Sequence, residues 1–218
     1  MKKGLLSLIG AGIITALSLL PTNANAQDNN VKASVDVVRS ENQPVSFIRP
    51  NVFYALPLGI KGYTFGEFYN EGNNYFSKTI LEGKLDDNSA AGLVGHVVTG
   101  SGFNTQAGLG LNAVVPSPEG SFVKLSFLPI FADSKGRMVN NKAVGGYFGS
   151  VNLPLGINLS SFGEINLDAK GGPKWGYGEI SLSKNITDKL AVAYNPLLKN
   201  QGKLNPRVEH AVRASYTF

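Results

Sequence analysis

The sequence contains no cysteine and very little histidine, methionine or tryptophan. Without cysteine, the fold uses neither disulfides nor thiolate-bound metal. The two histidines, His96 and His210, show no spacing that is typical of a metal site. The glycine-rich runs are followed by no helix, which argues against a phosphate-binding loop. We therefore expect a protein that holds no metal and no cofactor.

The only long hydrophobic run lies at the N-terminus. Met1-Lys2-Lys3 precedes an apolar run from about Leu5 to Leu20, and small residues end in Ala24-Asn25-Ala26. This order predicts a secretory signal peptide over residues 1–26, cleaved after Ala26. An uncleaved anchor is the alternative, but the run is short for a membrane span of roughly 20 residues. No cysteine follows the run, so a lipoprotein is excluded.

Residues 27–218 form the predicted mature chain, a single domain. None of its segments is apolar enough for a transmembrane helix, so a membrane-spanning fold has to be a barrel. The net charge of +5 and the isoelectric point near 9.3 would suit nucleic acid. The predicted export and the interspersed acidic residues argue against that partner. A composition with 26 glycines and 43% hydrophobic residues fits strands that have one apolar and one polar face.

Extended segments of about 8 to 13 residues alternate with clusters of Gly, Asn, Pro and Asp. In the sixth segment, for example, Ala107, Leu109 and Leu111 alternate with Gln106, Gly108 and Gly110. A small soluble barrel or a sandwich shows the same alternation, so periodicity does not decide between them. We predict an all-β fold of twelve strands, with ten as the alternative: Val31–Ser40, Val45–Leu58, Gly62–Asn70, Asn74–Leu85, Ala91–Thr99, Asn104–Val115, Ser121–Ala132, Lys142–Leu153, Ile157–Ala169, Lys174–Ser183, Lys189–Asn195 and Arg207–Phe218.

The chain ends on a strand whose alternation continues to its last residue. Val212, Ala214, Tyr216 and Phe218 share the apolar face. An unpaired apolar strand at a chain end would fray or pair with another chain, so we expect this one to be paired within the fold. The four residues resemble the closing strand of bacterial outer-membrane β-barrels, whose terminal Phe and alternating apolar residues are read by the barrel assembly machinery. An ordinary edge strand that ends in Phe is the alternative.

The resemblance implies a closed antiparallel transmembrane β-barrel in the cell outer membrane, in contact with outer-membrane lipid. Connection lengths agree with it, because the two longest predicted loops, Asp133–Asn141 and Pro196–Pro206, fall on one side. In its size and its short loops the chain resembles the narrow, twelve-stranded monomeric porins that pass acidic oligosaccharides, although their strongly basic lumen is absent. We expect a channel for passive diffusion of ions and small polar solutes. The alternative is a non-conducting structural or adhesion barrel that binds a partner through its outer loops.

An internal repeat suggests that the barrel has two halves. Leu56-Pro-Leu-Gly-Ile60 followed by Phe65-Gly-Glu67 recurs, in register, as Leu153-Pro-Leu-Gly-Ile157 followed by Phe162-Gly-Glu164. Chance flanks around two similar turns are the alternative explanation. We predict a duplication into halves of about 27–122 and 123–218. Glu67 and Glu164 would then lie on opposite walls and start an acidic constriction.

The polar faces of the predicted strands are rich in charge. In an enzyme of the outer-membrane lipase type, a His and a Ser two residues later share one face of a strand, but here Val98 follows His96 and Val212 follows His210 at that spacing. We therefore expect no enzymatic activity. The predicted pore-lining residues are Lys32, Asp36, Glu67, Lys78, Glu82, Lys84, Lys124, Glu164, Asp168, Glu179, Arg207, Glu209 and Arg213.

Overall fold

The structure, a computed structural model, describes residues 31–41, 47–69, 74–85, 89–139, 142–168, 171–199 and 206–218. The predicted signal peptide lies outside these residues. In the part of the chain that is described, no helix has the length and apolar character needed to cross a membrane. The fold is built from strands and two single-turn 3-10 segments, Pro57–Gly59 and Pro154–Gly156.

Within the described residues, fourteen strand segments form one continuous antiparallel sheet. They are β1 (Val31–Ser40), β2 (Phe47–Ala55), β3 (Lys61–Tyr69), β4 (Tyr75–Lys84), β5 (Ala91–Gly100), β6 (Phe103–Val115), β7 (Ser121–Asp133), β8 (Lys142–Leu153), β9 (Ile157–Asp168), β10 (Gly172–Asn185), β11 (Leu190–Tyr194), β12 (Leu197–Lys199), β13 (Arg207–Glu209) and β14 (Ala211–Thr217).

Two of the wall strands are interrupted, and hydrogen bonds bridge each interruption. β11 and β12 pair with β10 in one register on either side of Asn195-Pro196. The amide of Asn195 donates to the carbonyl of Ala211 at 2.8 Å, and the carbonyl of Pro196 accepts from Ile180 at 3.0 Å. β13 and β14 are likewise separated by His210, whose carbonyl accepts from Glu41 at 2.9 Å. The fourteen segments therefore build twelve wall strands.

The last strand closes the barrel against the first. β14 pairs with β11 on one side and with β1 on the other. The amide of Phe218 still donates to the carbonyl of Ala33 at 3.1 Å, so pairing reaches the last residue. The closed antiparallel barrel of twelve strands is confirmed, and the sandwich is excluded.

The predicted bounds are reproduced for β1 and β8, and two predictions need correction. The strand predicted to reach Leu58 ends at Ala55, because Pro57 starts a 3-10 turn. The long outer loop predicted from Pro196 to Pro206 is wrong over its first part, since Leu197–Lys199 continues the wall as β12. Proline lacks the N–H that a continuous ladder of hydrogen bonds needs. The strand was therefore predicted to end before Pro196. Residues 200–205 lie outside the described residues.

The two faces of the wall have opposite chemistry. Leu109 and Leu111 are 51% and 56% exposed on the outside, whereas Asp36, Lys78 and Glu179 are buried on the inside. A soluble barrel has the reverse arrangement. An apolar exterior around a polar interior is the pattern of a transmembrane barrel. Val212, Ala214, Tyr216 and Phe218, the predicted assembly residues, are also exposed on the outer face.

The two copies of the Pro-Leu-Gly turn share an unusual backbone. Leu58 has φ 65° and ψ 23°, and Leu155 has φ 65° and ψ 21°. Left-handed geometry is uncommon for a branched apolar residue. The turns follow β2 and β8, which are six wall strands apart and therefore on opposite sides of the barrel. The duplication stays a prediction, and these matched turns support it.

Replacing Leu109 with Arg is expected to destabilise the barrel by about 2–4 kcal/mol, because it puts a charge on the lipid-facing side of β6. The matched control is Asn112→Arg, on the inner face of the same strand, where a long cation is tolerated. Chemical unfolding in lipid vesicles measures both. A larger loss for the Asn112 variant would mean that the two faces of β6 have been exchanged.

Candidate functional site: the lumen

Arg49 lies at the centre of the first group of charges in the lumen. Its Nη2 is 2.6 Å from Oε1 of Glu67 on the neighbouring strand β3, and its Nε is 3.2 Å from the same oxygen. Its Nη1 donates to Oε2 of Glu179 at 3.1 Å, and Nη2 also donates to the other oxygen of that carboxylate. Side chains of all three residues are at most 4% exposed. We call Arg49, Glu67 and Glu179 the arginine cluster.

The arginine cluster spans the lumen. Arg49 is on β2 and Glu179 is on β10, and three wall strands separate them: β1 and the two interrupted strands. Their contact is therefore made through the interior and not along the wall. A charge pair buried this deeply needs good geometry and further hydrogen bonds to offset the cost of removing it from water.

Aromatic and amide groups supply those additional contacts. The guanidinium lies 5.0 Å from the ring centre of Phe47 and 5.5 Å from that of Phe65, within cation–π range. Tyr177 donates its hydroxyl to Oε1 of Glu179 at 2.5 Å, and Asn195 donates its amide to Oε2 at 3.2 Å. Tyr69 donates its hydroxyl to Glu67. Both carboxylates thus have neutral donors in addition to the arginine.

A second pair crosses the lumen between β4 and β9. Nζ of Lys78 donates to Oε1 of Glu164, and Nδ1 of His96 lies 3.9 Å from the same oxygen. Strands β5 to β8 lie between the two walls, so the residues face each other nearly across the diameter. We call Lys78, Glu164 and His96 the lysine bridge. Glu164 remains 28% exposed, unlike the acids of the arginine cluster.

Three other inward charges pair over shorter spans. Lys124 donates to Glu82 across the β4–β7 side, and the two side chains are 23% and 25% exposed. Lys142 donates to Gln106, and its ammonium lies 4.7 Å from the ring centre of Phe131. These contacts line the wall beside the lysine bridge and leave part of each charged group accessible.

On the opposite side, charges pair between adjacent strands. Nζ of Lys199 is 2.7 Å from Oε2 of Glu209. Nη1 of Arg213 is 3.9 Å from Oδ2 of Asp36, and its Nη2 donates to Ser181 at 3.0 Å.

Nine of the predicted pore-lining residues therefore take part in ion pairs within the lumen. They are Asp36, Glu67, Lys78, Glu82, Lys124, Glu164, Glu179, Glu209 and Arg213. Four further predicted residues are exposed toward the barrel ends: Lys32, Lys84, Asp168 and Arg207. The expected acidic constriction is revised, because Glu67 contacts Arg49 and Glu164 contacts Lys78. Each acid has a cation as its partner, and Glu67 shares Arg49 with Glu179.

Three further cations of the lumen were not predicted from the sequence: Arg49, Lys142 and Lys199. Arg49 shares its face with Phe47, so the polar face of β2 could not be recognised from periodicity alone. The antiparallel register of β1 and β2 places Arg49 opposite Asp36, and this pairing was the available signal. Lys199 was assigned to a loop because of Pro196.

Apolar side chains also enter the lumen. One cluster joins Val38, Phe47, Leu197 and Ala211, with Tyr69 packed against it. A second cluster joins Val94, Leu128, Phe131 and Val144. Both clusters fill space next to the ion pairs. The interior of this barrel is consequently narrower than the strand number alone implies.

The histidines do not form a catalytic or metal-binding arrangement with other candidates. His96 faces Lys78 and Glu164, whereas His210 is exposed on the outer face and is hydrogen bonded through Nδ1 to the hydroxyl of Tyr194. Across the described ranges, no group of three His, Asp or Glu residues is arranged to hold a metal ion.

No protein-family model and no curated protein sequence matches the chain. The fold is that of small outer-membrane porins and channels. It is similar to NanC porin, with 10% sequence identity, coverage of 86% of this chain and 98% of the porin, and a TM-score of 0.53. It is also similar to an outer-membrane channel from Pseudomonas putida F1, with 11% identity, coverage of 91% of this chain and 99% of the channel, and a TM-score of 0.50.

Replacing Arg49 with Leu is expected to destabilise the barrel by about 3–5 kcal/mol, because Glu67 and Glu179 would be left buried without their cation. Adding Glu67→Gln and Glu179→Gln to that variant should restore most of the loss. The matched control is Arg137→Leu, since Arg137 pairs with Asp133 at 2.7 Å while remaining 70% exposed, and exposed pairs contribute little. Chemical unfolding in detergent tests all three. Equal effects of the two arginine substitutions would contradict the role of the cluster.

Proposed function

We propose that this protein is a small outer-membrane porin through which ions and small polar solutes diffuse passively. The observation that carries the proposal is the inner wall of a closed twelve-stranded barrel, which is lined by charged and polar side chains while the outside is apolar. Several of the inward charges remain partly exposed inside the barrel, so water can reach them. The fold of the two similar channels supports the same function.

The exposure of the charges suggests where solutes pass. Arg49, Glu67 and Glu179 are nearly inaccessible, so the arginine cluster acts as a brace. Glu82, Lys124 and Glu164 remain about a quarter exposed. The proposed path therefore runs along the β4–β9 side, and the arginine cluster closes the other side. The proposed lumen-lining set keeps the thirteen predicted residues and adds Arg49, Lys142 and Lys199. The arginine cluster belongs to this lining but lies beside the path.

Both signs of charge line this path, so selectivity between cations and anions is weak. The lysine bridge crosses the path and sets its width. A hydrated ion or a small polar solute passes by forming brief contacts with exposed charged groups such as Glu164. The protein acts without catalysis and without a cofactor.

The proposal includes export and assembly. Residues 1–26 are removed as a signal peptide, and the barrel assembly machinery recognises Val212, Ala214, Tyr216 and Phe218. The mature chain then resides in the outer membrane, with its apolar face against lipid, and nucleic acid is not a partner.

One observation favours a second candidate function, the non-conducting structural or adhesion barrel that binds a partner through its outer loops. The arginine cluster and the lysine bridge both cross the lumen, and apolar clusters fill space beside them. Conductance of the refolded protein in a planar bilayer separates the two functions. Steady open steps support the channel, and a silent membrane that contains folded protein supports the scaffold.

Replacing Lys78 and Glu164 together with Ser is expected to increase the unit conductance, because the substitution removes both charges of the bridge that crosses the proposed path. The control is the double variant Lys199→Ser and Glu209→Ser. That pair joins the neighbouring strands β12 and β13 and does not cross the lumen. Single-channel recordings at fixed salt measure both. An unchanged conductance in the Lys78 and Glu164 variant would place the path elsewhere.

Deleting Phe218 is expected to reduce the amount of folded protein in the outer membrane far more than Thr217→Ala does. Phe218 lies on the outer face of the closing strand and is 65% exposed, whereas Thr217 belongs to the inner face. Membrane fractionation followed by gel mobility without heating measures the folded fraction. Equal outer-membrane levels of the two variants would contradict the proposed assembly signal.

A further inference from the structure

The outer face of the barrel is almost free of charge. Among the outward strand positions that the structure describes, only Arg39 and Lys184 carry a charged side chain. Arg39 is exposed on β1, between inward Val38 and Ser40, which are buried. Lys184 lies near the opposite end of the barrel, where β10 pairs with Ile157 and Val192. A cation on a lipid-facing wall is costly unless an anion or water reaches it.

Arg39 borders a groove on the outside of the barrel. The groove is open to the outside, has a volume of about 240 Å³, and is lined by Arg39, Glu41, Tyr194, His210 and Val212, among others. It lies at the interruption between β13 and β14. There His210 is held by its backbone contact with Glu41 and by stacking on Tyr194, with ring centres 6.0 Å apart and planes 17° apart. The groove is therefore built from fixed elements.

The polar groups of the groove suit an anion. The Arg39 guanidinium presents several donors in a plane, which matches a phosphate group. When Tyr194 donates to Nδ1 of His210, the neutral imidazole keeps its proton on Nε2 and retains a second donor. The one acid in the groove, Glu41, is engaged with the backbone amide of His210 at 3.4 Å.

The apolar groups of the groove suit acyl chains. Val212 is 55% exposed and lies directly opposite Arg39 in the register of β1 and β14. Val37 and Tyr216 are exposed on the same outer face toward the chain termini. The groove thus joins a cationic end to an apolar strip. Since an even strand count puts both termini in the periplasm, the cationic end belongs to the outer leaflet.

We propose that this groove binds the phosphate of an outer-leaflet glycolipid, with acyl chains along Val37 and Val212. The site rests on the proposed outer-membrane location, and it does not depend on conduction through the lumen. Arg39 makes the phosphate contact, His210 adds a donor, and Tyr194 orients the imidazole. The bound lipid stabilises the wall of the barrel at its outer rim.

The test is native mass spectrometry of the refolded protein in detergent, with bisphosphorylated lipid A as the probe. Arg39→Gln should weaken lipid binding about tenfold, which corresponds to the loss of a charge-assisted contact worth about 1.4 kcal/mol. Arg39→Lys should lose less. The matched control is Lys184→Gln, which removes the other outward cation and should leave binding unchanged. Lipid A without its phosphates should bind as weakly as the Arg39→Gln variant does to the intact lipid.

Equal binding by the wild type and Arg39→Gln, or an equal loss with Lys184→Gln, would overturn the proposal. Displacement of the lipid by an equal concentration of inorganic phosphate would assign the groove to free phosphate and would also overturn it. Each variant is first checked for folding by gel mobility without heating. Conductance is recorded separately, because a silent barrel that binds lipid A through Arg39 contradicts only the channel, and a conducting barrel that does not bind it contradicts only the lipid site.

Discussion

The demand that every backbone polar group be paired inside the lipid governs this structure. An open sheet edge in the bilayer would leave a row of unsatisfied N–H and C=O groups, so the sheet has to close. Pairing of β14 with β1 achieves closure and extends to the amide of Phe218. The interruptions at Asn195-Pro196 and at His210 obey the same demand, because neighbouring amides and carbonyls bridge both. The C-terminal strand is therefore fixed by pairing on both sides.

Closure also determines where charge can go. With an apolar exterior, ionisable side chains have to point inward, and in a narrow barrel they are taken from water unless they find partners. Pairing across the lumen supplies these partners, because Arg49 contacts acids on β3 and on β10. Tyr177 and Asn195 donate further hydrogen bonds to Glu179. Removing one member costs more than the pair contributes. The charges thus stabilise one another as a set.

Features with a local cause were predictable from the sequence. Alternation with period two gave the strands and the faces of β6, β9 and the terminal strand, and the terminal Phe indicated closure. The partner of each lumen charge was not predictable, because Arg49 and Glu179 meet only when the barrel's diameter and stagger are set by all twelve strands. β2 carries Phe47 and Arg49 on one face, so its pattern was ambiguous. Pro196 lies between β11 and β12, and a proline at that position is typical of a loop.

The two groups that cross the lumen differ in their access to water, and this difference separates structural charge from functional charge. A pair that water does not reach exchanges partners slowly and holds the walls together, as the arginine cluster does. The lysine bridge ends at Glu164, which is 28% exposed, and Glu82 and Lys124 lie beside it with similar exposure. Water at these groups screens their attraction and lowers the cost of separating them. Passage is therefore favoured along the β4–β9 side, where a solute can replace a partner without leaving a buried charge alone.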